Sequence, residues 1–251
     1  MKTTITMCTM VVLLASCASV PRSSEPDDIT RYADLLRALR EPVDIRAEIA
    51  SEYDCYTRLL YLPSFSAPVC ITVRGGVTVL PGQALVRTQV IQTGRGQSMS
   101  TSWEPGYTRV LSSTDSMISL DSHMELLSRM SDLRLAPTNA VPIELAGLDG
   151  ETCVLEHAEG TNQYMFVSVW SPDALRLDEN MAKGYEALYP GRSIDVAGIN
   201  EFLQRTINVL AWFAEQTHIE QLDHFKFKEE SFQQDGSTVP DGARERTPSV
   251  P

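Results

Sequence analysis

Residues 147–172, GLDGETCVLEHAEGTNQYMFVSVWSP, constrain the fold more than any other part of the chain. Two β-branched and aromatic runs, Thr152–His157 and Gln163–Trp170, flank the turn-forming stretch AEGTN, the pattern of an antiparallel hairpin. A five-residue loop sets Glu156 opposite Tyr164 and Val154 opposite Phe166. Side chains alternate across a strand, so Thr152, Ser168 and Trp170 join that face, and Cys153, Leu155, His157, Met165, Val167 and Val169 take the other. Glu156 and His157, adjacent in sequence, then point to opposite faces, which argues against a direct acid–base pair. A hairpin alone is marginally stable in water, so both faces need further elements.

Those elements are legible on either side. CYTRLLYL, VCITV, VTVL and ALVRTQVIQ are short strand-like runs punctuated by Pro and Gly, and Gly75-Gly76 suits a two-residue turn. If 55–62 and 68–74 pair over the loop PSFSA, Leu60 faces Cys70. A further strand is expected around Tyr107–Leu111. Ile29, Tyr32, Leu36 and Leu39 predict a helix that Pro42 ends, and Leu120, Met124, Leu127 and Met130 predict another near 121–132. Ser171-Pro172-Asp173 reads as a helix start. The clearest helix is 195–216, with Val196, Ile199, Phe202, Leu203, Thr206, Leu210 and Phe213 on its apolar face. Trp212 falls in its polar stripe, either exposed for binding or covered by the segment HFKFKEESF. Strands followed by helices predict a single α+β domain over 27–228, a mostly antiparallel sheet with packed helices, the long helix 195–216 covering it. Residues 229–251, rich in Pro, Gly, Ser and charge, read as a disordered tail.

The start of the chain, MKTTITMCTMVVLLASC, has one lysine, an apolar run from Ile5 to Ala15 and small residues before Cys17. The run is too short to span a bilayer and has the layout of a secretory signal. Leu14-Ala15-Ser16-Cys17 resembles the lipobox of bacterial lipoproteins. That resemblance implies cleavage before Cys17, removal of 1–16, diacylglycerol on the Cys17 sulfur and acylation of the new amino terminus. Residues 17–26 become a lipidated tether. Two or three acyl chains, at about 0.8 kcal/mol per buried methylene, hold a protein on a membrane. Ala18, in place of an aspartate, implies the outer membrane where the organism has one. The alternative is ordinary signal cleavage after Ala18.

A formal charge of −12 and a pI near 4.8 argue against nucleic acid, since phosphate binding needs clustered Lys and Arg. Beyond the signal and anchor, Cys55, Cys70 and Cys153 are an odd set, read first as buried apolar thiols. The motifs G-x-S-x-G, S-x-x-K, H-E-x-x-H and C-x-x-C do not occur. Glu220 and His224 share a helix face but are too few for a metal, so neither a metal nor another cofactor is expected.

Two stretches, YTRLLYLPSFSAPVCITVR at 56–74 and the hairpin at 147–172, resemble a group of uncharacterised bacterial proteins with an Arg-containing strand, a Ser-Phe turn and a "DG…LE…Y…W-x-P" hairpin. The resemblance implies the order of elements and no activity. The expectation is therefore a cell-envelope lipoprotein that binds an envelope protein or component without catalysis. Its contact candidates are Trp103, Tyr164, Trp170 and Trp212. The alternatives are an envelope hydrolase using Glu156, Asp149 or His157, and a small apolar-ligand carrier. The carrier would use Tyr164, Phe166 and Trp170, with Arg58 or Arg74 supplying charge.

Overall fold

A computed structural model describes residues 29–49, 54–64, 66–76, 83–92, 109–135, 150–160, 163–172, 177–188 and 194–226. Cys17, Trp103, Asp149, the expected strand at 77–80 and the tail at 229–251 lie outside them. Among the described residues no helix is long and apolar enough to cross a membrane. The fold is α+β, with one six-stranded antiparallel sheet.

The strands are β1 (Cys55–Pro63), β2 (Val69–Gly75), β3 (Gln83–Gln92), β4 (Arg109–Ser119), β5 (Glu151–Glu159) and β6 (Gln163–Trp170), in the order β4-β3-β2-β1-β5-β6. The run CYTRLLYLP becomes β1, a central strand buried nearly throughout, as its near-continuous apolar pattern requires. Leu60 faces Cys70 in β2, as the PSFSA hairpin predicts, and Val154 in β5. The β5–β6 hairpin differs in register. Glu156 faces Phe166 and Ala158 faces Tyr164, because the strands run on to Glu159 and Gln163. The slip is two residues, so the expected faces survive. At the far edge, β4 is mostly exposed and carries Ser, Thr and Asp, side chains suited to an edge strand.

By contact the chain divides into two compact units: Met1–Pro81, Arg87–Asp115 and Ile143–Ser171 form one, and Gly82–Val86, Ser116–Pro142 and Pro172–Pro251 the other. In the first, a single 3-10 turn (Ile29–Tyr32) leads into α1 (Ala33–Leu39), and α2 (Ile45–Ile49) follows. Ile29, Tyr32, Leu36 and Leu39 are buried as expected, in a cluster with Leu60, Cys70, Ile91 and Val154. Arg40 ends α1 with a left-handed φ of 59°, and the Glu41 N–H bonds back to the Leu36 carbonyl at 2.9 Å. α2, which periodicity did not announce, seats Ile45 beside Tyr56 and Ala158. Residues 173–176, into which the helix start expected at Ser171-Pro172-Asp173 would lead, lie outside those described. The Ser171 N–H bonds the Glu151 carbonyl at 2.7 Å and its hydroxyl accepts from the Glu151 N–H at 3.1 Å, so Ser171 extends the hairpin.

The second unit holds α3 (Leu120–Arg134), α4 (Glu179–Leu188) and α5 (Val196–Thr217). Ser119 caps α3 by accepting from the Ser122 N–H at 3.2 Å, and Asp195 caps α5 by accepting from Gly198 at 2.9 Å. Asp178 caps α4 through the N–H groups of Asn180 and Met181, both at 2.8 Å. The Asn200 amide on α5 grips both backbone groups of Leu177, at 3.0 and 2.9 Å. The buried face of α3 is His123, Leu126, Met130 and Leu133. This corrects the expected face, since Leu120 and Met124 point outward. Trp212 is also corrected: it is fully buried (0 %), and its indole N–H donates to the Ser122 carbonyl of α3 at 3.2 Å. A residue so enclosed is no contact surface.

Candidate functional site

The sheet face under α1 and α2 holds most of the buried charge among the described residues. Because β1, β2 and β5 are in register, Arg58 stands opposite both Thr72 and Glu156, and Tyr56 stands opposite Arg74. Arg58 Nε donates to Glu156 Oε2 at 2.8 Å, Nη2 donates to the same oxygen, and both side chains are fully buried. Its remaining donors reach out of the sheet to the carbonyls of Pro42 (2.5 Å) and Val43 (3.4 Å). Tyr164 donates its hydroxyl to the other Glu156 oxygen at 2.8 Å, and the Arg46 guanidinium lies 4.7 Å from the Tyr164 ring centre. Asp44 accepts from Arg46 at 2.7 and 2.8 Å.

A second set continues across the sheet. The turn at Arg40 delivers Glu41 onto the sheet, where Oε2 accepts from Tyr56 at 2.6 Å and from Arg74 at 2.7 Å. The Tyr56 hydroxyl in turn accepts from Arg74 at 2.9 Å. Arg87 on β3 lies 4.0 Å from Glu41 Oε1 and donates to Asp115 on β4 at 2.8 and 3.0 Å. Every strand thus contributes to one polar belt, which runs through Asp115, Arg87, Arg74, Tyr56, Arg58, Glu156 and Tyr164.

Burial acts most strongly at the middle of the belt. It pushes the Glu156 carboxyl above the ordinary range, against the opposing pull of Arg58 and Tyr164. It pushes both the Tyr56 and Tyr164 hydroxyls up, helped by Glu41 and Glu156 respectively. At the more exposed ends, Arg46 holds Asp44 below its usual value and Arg87 does the same for Asp115. Chemically the belt ties charge to charge, and its Arg58 and Glu41 bonds clamp residues 41–43 to the sheet. Phe166 packs on the α1 cluster and Tyr164 on the cluster around Ile45.

The opposite face holds a smaller constellation. Thr57 Oγ1 and His157 Nδ1 share a hydrogen bond of 2.9 Å, Cys55 Sγ lies 4.0 Å from the same nitrogen, and Glu159 Oε2 lies 3.8 Å from Nε2. Hydroxyl, imidazole and carboxylate are thus in line, but Thr57 and His157 are buried within the sheet and link β1 to β5. Burial pushes the Cys55 and Cys70 thiols up to about 12, so neither is a thiolate at neutral pH. Cys55, Cys70 and Cys153 are all buried, and none is in a disulfide. Glu156 and His157 do fall on opposite faces, as the alternation requires. Among the described residues no three metal-ligating side chains converge.

No family model, curated protein or solved structure matches the chain. Of the contact candidates, Trp170 is half-buried and its ring lies over Gly150, where an added Cβ would sit 2.4 Å from ring carbon Cζ2. Tyr164 is half-buried beneath Arg46. The sequence did not announce Glu41, whose place depends on the left-handed turn at Arg40, nor the Arg58–Glu156 pair. Their one signal was charge inside apolar runs, in CYTRLLYL and TCVLEHA.

Proposed function

We propose that the chain is a bacterial cell-envelope lipoprotein, held on a membrane through lipid on Cys17, whose folded part binds an envelope protein or component without catalysis. The observation that carries this reading is LLASC, in which a sulfur nucleophile follows an apolar run and two small residues. Ala18 favours the outer membrane.

The first unit supports the reading by what its charges do. Eleven residues lie between Cys17 and Ile29, a span of at most about 43 Å for an extended chain. Just beyond, the belt clamps residues 41–43 to the sheet, so the anchored end of the chain enters the fold at a firmly held point. Groups that chemistry would draw on, Glu156 above all, are committed to that clamp.

Detergent partition of the full chain made in a bacterial host tests the reading. The wild type is expected in the detergent phase and Cys17→Ser in the aqueous phase. An aqueous wild type would overturn the anchor.

A further inference from the structure

α3 has two apolar sides. One, His123, Leu126, Met130 and Leu133, is buried. On that packed side Arg129 donates to the Asn208 carbonyl of α5, and Arg205 of α5 donates to the Asp132 carbonyl. At 100° per residue, Leu120, Met124 and the capping residue Leu135 fall about a third of a turn round from the packed side, with Ser128 and Ser131 between Met124 and Leu135. Leu120 is 48 % exposed, Met124 54 % and Leu135 74 %, and Met117, just before the helix, is 45 % exposed. Single exposed apolar residues are ordinary, but Met117, Leu120 and Met124 come close together in sequence, and among the described residues their apolar surface is left open.

Charge says what fits there. Asp121 and Asp132 are exposed along one flank of the row, on a chain of formal charge −12, while Glu125 between them is paired with Arg129 at 2.8 Å. A second copy would bring the same carboxylates against them, and an anionic lipid surface would repel them. We propose that Leu120, Met124 and Leu135, with Met117, form the docking surface for an amphipathic helix of a partner protein. The partner's apolar anchors lie along the row, and its Lys or Arg residues meet Asp121 and Asp132. Methionine side chains suit such a surface because they adapt to the partner's shape. The inference deepens the reading of the chain as an interaction protein and rests on it, but not on the anchor.

The test uses the full chain carrying Cys17→Ser and a labelled helical peptide of Leu and Lys with one apolar face. Its controls are a scrambled peptide of the same composition and a Leu/Glu counterpart. Fluorescence anisotropy is expected to show binding of the Lys peptide alone. Leu120→Gln with Met124→Gln should weaken that binding by about tenfold or more, and Asp121→Asn with Asp132→Asn should flatten its salt dependence. Peroxide oxidation of the unsubstituted chain gives a readout free of folding effects, since bound peptide should protect Met117 and Met124. Equal binding of the scrambled or Glu peptide, unprotected methionines, or binding of vesicles in place of the peptide would overturn the surface. Detergent partition of the wild type judges the anchor separately.

Discussion

Arg58 and Glu156 show what burying a charge costs and what it achieves. The raised Glu156 carboxyl means that desolvation outweighs its partners' pull, so the pair serves to place the segment it grips more than to stabilise the fold. Glu156→Ala, which strands the guanidinium, should cost about 3–5 kcal/mol in urea unfolding, whereas Arg58→Met with Glu156→Leu should cost far less. A double variant as damaged as the single would show that the pair itself supplies the stability. A carboxyl raised on folding contributes most below its unfolded pKa and loses that contribution as pH climbs through the folded value. The stability of wild type relative to Glu156→Gln should therefore fall as pH rises from about 4. A rise would mean that Arg58 wins over desolvation. Gly150 is constrained differently, by the Trp170 ring and the Ser171 hydroxyl packed where a Cβ would go. Gly150→Ala should lower stability by about 1–3 kcal/mol in the same assay, and no change would show that the ring moves aside freely.

At the scale of elements, the sequence is most legible where one pattern permits one answer. The Leu60–Cys70 register followed from a short loop between two strands, and the faces of β5 and β6 followed from alternation alone. The two-residue slip at the hairpin turn was hidden because an even shift leaves every side chain on its own face. On α3 the periodicity was real but met twice, by a packed stripe and an exposed one, and local sequence does not rank them. Trp212 read as polar-face because its partner, the Ser122 carbonyl, lies 90 residues away. The belt was least legible, since its charges are paired across distant strands. Trp212→Ala should cost about 3–5 kcal/mol in thermal or urea unfolding, as for a large aromatic lost from a core. A cost below about 1 kcal/mol would be that of a surface position and would contradict its burial.

At the scale of the whole molecule, the proposed lipidated tether leads into a unit whose first described elements are clamped to its sheet. The measurement that tests the tether most directly is the intact mass of the protein purified from bacterial membranes. The account predicts a chain beginning at Cys17 that carries added acyl mass, with Cys17→Ser either uncut or free of that mass. A wild-type chain beginning at Ser19, cut after Ala18 and without lipid, would contradict it.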